Sequence, residues 1–272
     1  MTVGAYTFAT RDWKDLEYPL DLYIKWNHLH FDEVAIYTYG NIDIQSDIPS
    51  NVKIIQGIDP QSKGLDFYRF GLHNAMRELS TDWKVYLALD EFIERRIDTS
   101  NLNRHLAYPL RRIDLYGNVQ TAIEGAFVRY QYCIHNGNRR LLGDGGSMMP
   151  PYSGRIHMDG VAAFVKQLIT RRPTYRDEPI FTTNSFPGTL YHTNSLRSPE
   201  RMSKKWLLQF TREIDGGIRR DDFNNGLKKV LLKPFRYEDY KLYWPRAKLI
   251  RVEPPSIILE NRERFVNVNL SA

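Results

Sequence analysis

Two acidic side chains, Asp90 and Glu91, stand side by side after an apolar run in the stretch Asp82-Trp83-Lys84-Val85-Tyr86-Leu87-Ala88-Leu89-Asp90-Glu91-Phe92. Neighbouring carboxylates supply hard oxygen donors, so the chemistry open to them is to hold a divalent cation or to meet a polar substrate. Val85 to Leu89 is too short for a helix and rich in strand formers, and reads as a buried strand of a parallel sheet. In open α/β sheets ligands bind outside the carboxyl ends of the strands, where the departing loops leave a crevice. Asp90 and Glu91 fall at that end. The plainer alternative is that they cap a following helix or lie in solvent.

The elements that must position these residues follow from periodicity. Thr2 to Ala9 alternates small and bulky residues and reads as the first strand. Pro19 suits a first helical turn, and Leu20, Leu22, Tyr23, Ile24, Trp26 and Leu29 give a broad apolar face that continues to Phe31. Val34 to Tyr39 and Val52 to Ile55 read as two further strands. Gly64 to Leu79 is the clearest helix, with Leu65, Tyr68, Leu72, Ala75, Met76 and Leu79 on one face. This alternation places the chain in the α/β class, with a mostly parallel sheet and right-handed crossovers. No Gly-x-Gly-x-x-Gly follows the first strand and no Gly-x-x-x-x-Gly-Lys-Ser/Thr occurs, which argues against a dinucleotide oxidoreductase or a P-loop ATPase.

Beyond Phe92 the pattern loosens. Residues 118–132 hold strand formers. Residues 136–160 are rich in Gly, Asn, Arg and Pro, including Gly143-Asp144-Gly145-Gly146-Ser147, as expected of a binding loop or lid. Val161 to Ile169 is again apolar. Ser198 reads as an N-cap and Pro199 as the first turn of a helix with Met202, Trp206, Leu207 and Phe210 on its apolar side. Residues 213–272 are basic and aromatic and read as an accessory segment packed on a domain of residues 1–212.

The chain of 272 residues, 42% hydrophobic and 26% charged, has the composition of a soluble globular protein with one large domain. A net charge of +6 favours anionic partners such as phosphates, nucleotides, nucleic acid or an acidic membrane surface. No run approaches the roughly 20 apolar residues of a membrane span, and no signal-peptide pattern opens the sequence. Cys133 is the single cysteine, so neither an internal disulfide nor a thiolate metal cluster can form. These features lead to the expectation of a soluble cytoplasmic protein, with peripheral membrane contact left open.

Trp83, Leu87, Asp90, Glu91 and Phe92 resemble a segment of the nucleotide-sugar glycosyltransferases of the GT-A fold, family 2 and its relatives, in which Asp-x-Asp-Glu-Phe follows a Trp-x-x-x-Leu pattern. Ala88 stands where that family has its first Asp. The run from Leu190 to Trp206, including His192, Arg197, Pro199, Met202 and Lys205, is similar to a second family segment, His-x-x-x-x-Arg-x-Pro-x-x-Met-x-x-Lys. The resemblance covers roughly the first 210 residues and implies a GT-A fold, a central mostly parallel mixed sheet flanked by helices.

It also implies metal-assisted transfer of a hexosyl-type sugar from a nucleoside diphosphate sugar to a hydroxyl acceptor, with inversion as the commoner outcome. Asp90, Glu91 and His192 would hold Mn²⁺ or Mg²⁺, and imidazole ligation leans toward Mn²⁺. Arg11, Asp12, Asp66, Arg69, Arg197 and Lys204 would contact the nucleotide or its diphosphate. Removal of the acceptor proton needs a base within hydrogen-bond reach. Asp159 and Asp177, ahead of Asp144 and Glu178, are the candidates by location. The expected partners are a nucleotide-sugar donor and a saccharide, lipid-linked or protein acceptor, without nucleic acid. The alternatives are a nucleic-acid- or polyanion-binding module, against which the dispersed basic residues speak, and a catalytically degenerate GT-A scaffold, suggested by Ala88.

Overall fold

The computed structural model describes residues 1–9, 18–39, 47–58, 67–124, 131–137, 186–193, 196 and 247–265. Its first part runs β1 (Val3–Ala9), α1 (Leu20–Asn27), β2 (Glu33–Tyr39), β3 (Val52–Gly57), α2 (Phe67–Arg77) and β4 (Trp83–Tyr86), the order expected from the pattern of apolar residues. Short strands follow: β5 (Glu91–Ile93), β6 (Ala107–Pro109), β7 (Arg111–Tyr116), β8 (Asn118–Glu124), β9 (Tyr132–His135) and β10 (Thr189–His192). β11 (Lys248–Arg251), α3 (Ser256–Glu260) and α4 (Arg262–Phe265) come last.

Eleven strands form two mixed sheets, in an α/β arrangement with few helices among the described residues. The first sheet has the order β3-β2-β1-β4-β9-β6, in which β3, β2, β1 and β4 are parallel and β9 is antiparallel to both β4 and β6. Its inner parallel strands β1 and β2 are buried on both faces, as parallel strands covered by crossover helices are, whereas β3 at the edge is partly exposed. Alternation divides their side chains. Val3, Ala5, Val34 and Ile36 pack with Leu20, Tyr23 and Ile24 of α1, whereas Tyr6, Ala35 and Tyr37 pack with Leu72, Ala75 and Met76 of α2.

The second sheet has the order β11-β8-β7-β10-β5. β7 and β8 are joined at Gly117, whose φ of 73° is a left-handed turn that glycine adopts without strain. The late residues belong to this layer: β11 pairs antiparallel with β8, and Ile257, Ile258 and Phe265 pack against Phe92, Leu115 and Tyr191. Arg264 of α4 reaches Asp21 of α1 through two bonds of 2.5 and 2.9 Å. Among the described residues no helix is long and apolar enough to cross a membrane.

The stretch from Val85 to Leu89 differs from its expected form in an informative way. β4 ends at Tyr86, and although Leu87 and Leu89 are buried they lie outside the ladder. The chain turns, with the Glu91 N–H donating to the Ala88 carbonyl at 3.0 Å, and re-enters the second sheet as β5. The run is therefore strand as far as Tyr86, and from Leu87 to Leu89 a crossing between two sheets, buried by the core between them. Helix α1 braces this crossing: the Trp26 indole N–H donates to the Ile93 carbonyl at 2.6 Å, and Asn27 spans the Glu91 carbonyl and the Ile93 N–H at 3.3 Å each.

Asn27→Ala would leave that buried carbonyl and N–H without their partner, at about 1–3 kcal/mol per group. A loss of about 2–6 kcal/mol in urea unfolding is expected, with the denaturant slope unchanged. A loss under about 0.5 kcal/mol would show that α1 does not brace β5.

Candidate functional site

The turn between the two sheets carries Asp90, and its backbone is held from β10: the Thr193 N–H and hydroxyl donate to the Asp90 carbonyl at 2.9 and 3.2 Å. Cross-strand register then aligns three ionisable residues. His192 of β10 pairs with Glu91 of β5 on one side and with Asp114 of β7 on the other. Paired positions present side chains to one face of a sheet, so Glu91, His192 and Asp114 form a row across it. Arg112, two residues before Asp114, projects to the same face.

The side chains interlock. Asp114 Oδ1 accepts from Arg112 Nε at 3.0 Å and Nη2 at 2.6 Å, and lies 2.6 Å from His192 Nδ1. Arg112 Nη1 is 3.7 Å from Glu91 Oε1. Glu91 Oε2 also accepts from the Ala88 N–H at 2.7 Å, and Gln131 Nε2 donates to both Glu91 oxygens at 3.0 and 2.9 Å. His192 Nε2 faces Asp90 Oδ1 across 3.6 Å, longer than a hydrogen bond. Asp90 and Glu91 are each only 1% exposed and His192 8%.

These neighbours shift the protonation equilibria. Burial alone would raise the Asp114 carboxyl, but Arg112 and the His192 hydrogen bond outweigh it and bring it down to about 2. Burial and Arg112 disfavour the His192 imidazolium, yet Asp90 and Asp114 together carry it above its ordinary value. Burial disfavours the Arg112 cation, and Asp114 and Glu91 more than restore it.

Of the residues singled out from sequence, Asp90, Glu91 and His192 come together here. Arg69 lies in α2, with its side chain outside the described residues. Arg11, Asp12, Asp66, Asp159, Asp177, Arg197 and Lys204 lie outside the described residues altogether, as do Asp144, Glu178 and the helix expected from Ser198. Arg112, Asp114 and Gln131 were not singled out. The signal for the first two was present: charges two apart within Arg111-Arg112-Ile113-Asp114-Leu115-Tyr116 fall on one face of a strand.

The fit to a divalent cation is that of two ligands. Among the described residues no three His, Cys, Asp or Glu side chains are grouped to hold a metal ion. Glu91 is taken up by Ala88, Gln131 and Arg112. Asp90 Oδ1 and His192 Nε2 lie 3.6 Å apart, within the roughly 3 to 4 Å that separates two ligands of one ion. A hard cation held by one carboxylate and one imidazole takes its remaining ligands from phosphate oxygens and water. No protein-family model matches the chain, and no curated protein matches it significantly.

The shifts set a pH dependence for the metal-free protein. Asp114 is depressed on folding, so its contribution is complete above its ordinary value near 3.8 and is lost as pH falls through about 2. The raised His192 contributes below its ordinary value near 6.5, and that contribution is lost as pH rises through its higher folded value. Urea titrations of the wild type and Asp114→Leu should therefore diverge by on the order of 2 kcal/mol between about pH 2 and pH 5. A gap between the two proteins that is constant across that range contradicts the coupling.

Proposed function

We propose that the chain is a metal-assisted glycosyltransferase that takes a sugar from a nucleoside diphosphate sugar to a hydroxyl acceptor. The observation that carries the reading is the pair made by Asp90 and His192 at the turn leaving β4, a strand of the parallel part of the first sheet. Two residues from separate sequence segments, each similar to the same family, meet there at 3.6 Å. Mixed sheets with four parallel strands at the amino-terminal side are compatible with the GT-A architecture.

Among the described residues Asp90, Glu91 and Asp114 place three carboxylates around Arg112 and His192, and carboxylate oxygens are the natural ligands of a hard cation. A divalent ion bound there supplies stabilisation of the negative charge that develops on a departing diphosphate. The protein's own residues have separate tasks in this reading. Asp90 and His192 hold the ion; Glu91, gripped by Gln131 and Arg112, fixes the turn that presents Asp90. The acceptor hydroxyl must give its proton to a base within hydrogen-bond reach, for which Asp159 and Asp177 are the proposed residues.

Binding should rise with pH, because an imidazole must shed its proton before it can ligate and His192 holds that proton more tightly than usual. UDP, GDP and CDP tested with and without Mn²⁺ should give a metal-dependent thermal shift for one of them; at 100 times the dissociation constant the added stability is about 2.7 kcal/mol. Asp90→Ala and His192→Ala should each remove that shift and lower donor hydrolysis by about two to three orders of magnitude, with circular dichroism unchanged. Full turnover by Asp90→Ala would exclude the proposed metal role. A nucleotide-dependent shift with no turnover of any donor would favour the degenerate scaffold, a reading to which Ala88 and the engaged Glu91 lend weight.

A further inference from the structure

Thr7 of β1 and Tyr23 of α1 stand apart from the ion cluster, and each buries a hydroxyl. The side chains are 1% and 0% exposed, and among the described residues neither Thr7 Oγ1 nor the Tyr23 phenol has a hydrogen-bond partner. The parallel register sets Thr7 beside Ile36, on the face of β1 that carries Ala5 and Ala9 against Leu20, Tyr23 and Ile24 of α1. Leu20, Ile24 and Ile36 offer neither hydroxyl a partner. Hydroxyls at this depth are almost always paired, since an unpaired one carries its full desolvation cost. Burial pushes the Tyr23 phenol up, the Glu91 charge adds to the rise, and the Thr7 hydroxyl works against it from close by without reaching hydrogen-bond geometry. Glu91 in turn has acceptor capacity left, because a carboxylate has about four lone-pair positions. Gln131 Nε2 takes one on each oxygen, at 3.0 and 2.9 Å, and the Ala88 N–H takes a second on Oε2 at 2.7 Å. Arg112 Nη1, 3.7 Å from Oε1, is beyond hydrogen-bond distance.

We propose that one structural water is held between β1, α1 and β5, accepting from the Thr7 and Tyr23 hydroxyls and donating to the Glu91 carboxylate. Side chains this enclosed admit no larger ligand, and about three hydrogen bonds is the usual complement of an internal water. Both hydroxyl protons then gain an acceptor, and the carboxylate gains one more donor. The water ties α1 and the first sheet to the strand that enters the second, beside the direct contacts of Trp26 and Asn27 with the backbone of β5. Nothing at this position needs a metal, a nucleotide or a sugar, so it stands whether or not the chain is a transferase.

A high-resolution crystal structure of the full chain, with urea unfolding of Tyr23→Phe, Thr7→Val and the double variant, tests this. The density should show an ordered water within hydrogen-bond distance of Tyr23 OH, Thr7 Oγ1 and a Glu91 oxygen. Each single substitution deletes one of its donors and should raise the unfolding equilibrium constant about 3- to 10-fold. The double variant should lose less than the product of the two, because groups that share a partner are coupled. If the hydroxyls are unpaired, each substitution discards a desolvated group and the urea midpoint rises instead, which overturns the proposal. A dry site, hydroxyls bonded directly to each other, or a water out of reach of Glu91 overturns it as well. Should a variant fail to fold, the wild-type density decides.

Discussion

Among the described residues Arg112 is the guanidinium set between Glu91 and Asp114, and the second sheet is arranged around that ion cluster. Burying a lone carboxylate costs several kcal/mol, and Arg112, which reaches the buried Glu91 on one side and the partly exposed Asp114 on the other, offsets that cost together with Gln131. The requirement fixes more than a contact. Arg112 can serve both acids only if β7 and β5 flank β10 in the observed register, because a slip of one residue would turn every side chain of a strand to the opposite face. Charge compensation and strand register are thus one constraint, and neither survives without the other.

A second device converts that constraint into a placed side chain. The crossing from β4 to β5 leaves the first sheet and enters the second within the few residues from Leu87 to Asp90. Its apolar members are buried between the layers, and its polar backbone is taken up by the Tyr6 carbonyl, by Glu91 and by Thr193. Asp90 therefore sits on a short turn with both ends clamped into sheets. Sites supported by rigid elements on both sides hold their geometry within tighter limits than sites on free loops.

The legible part of this architecture was the part governed by local periodicity. The first strands and both early helices could be read from alternation and from three-and-four spacing, because each buries a simple face against one partner layer. Val85 to Leu89 misled in its length for the same reason: burial of Leu87 and Leu89 has the composition of a strand, yet it comes from tertiary packing between sheets, which local pattern cannot separate from pairing. Asp90, Glu91 and His192 were visible as residues. Their meeting depends on β10 pairing with β5, a contact spanning about a hundred positions that no local signal encodes. Asp114 and Arg112 carry no local signal of burial because charged residues in a strand usually face solvent, and only the second sheet shows that theirs are half-buried and paired with each other.

The middle position of β10 bears on how the chain reaches its native form. β5 and β7 are both in place early in the sequence, yet each offers an open row of backbone donors and acceptors until Thr189 to His192 threads between them. During synthesis on the ribosome those two edges wait for a strand that emerges much later, and unpaired edges are where chains stick to one another. Closing that gap is also the step that delivers the imidazole. The His192 imidazole therefore meets Asp114 and Glu91 only once β10 has paired with both neighbouring strands.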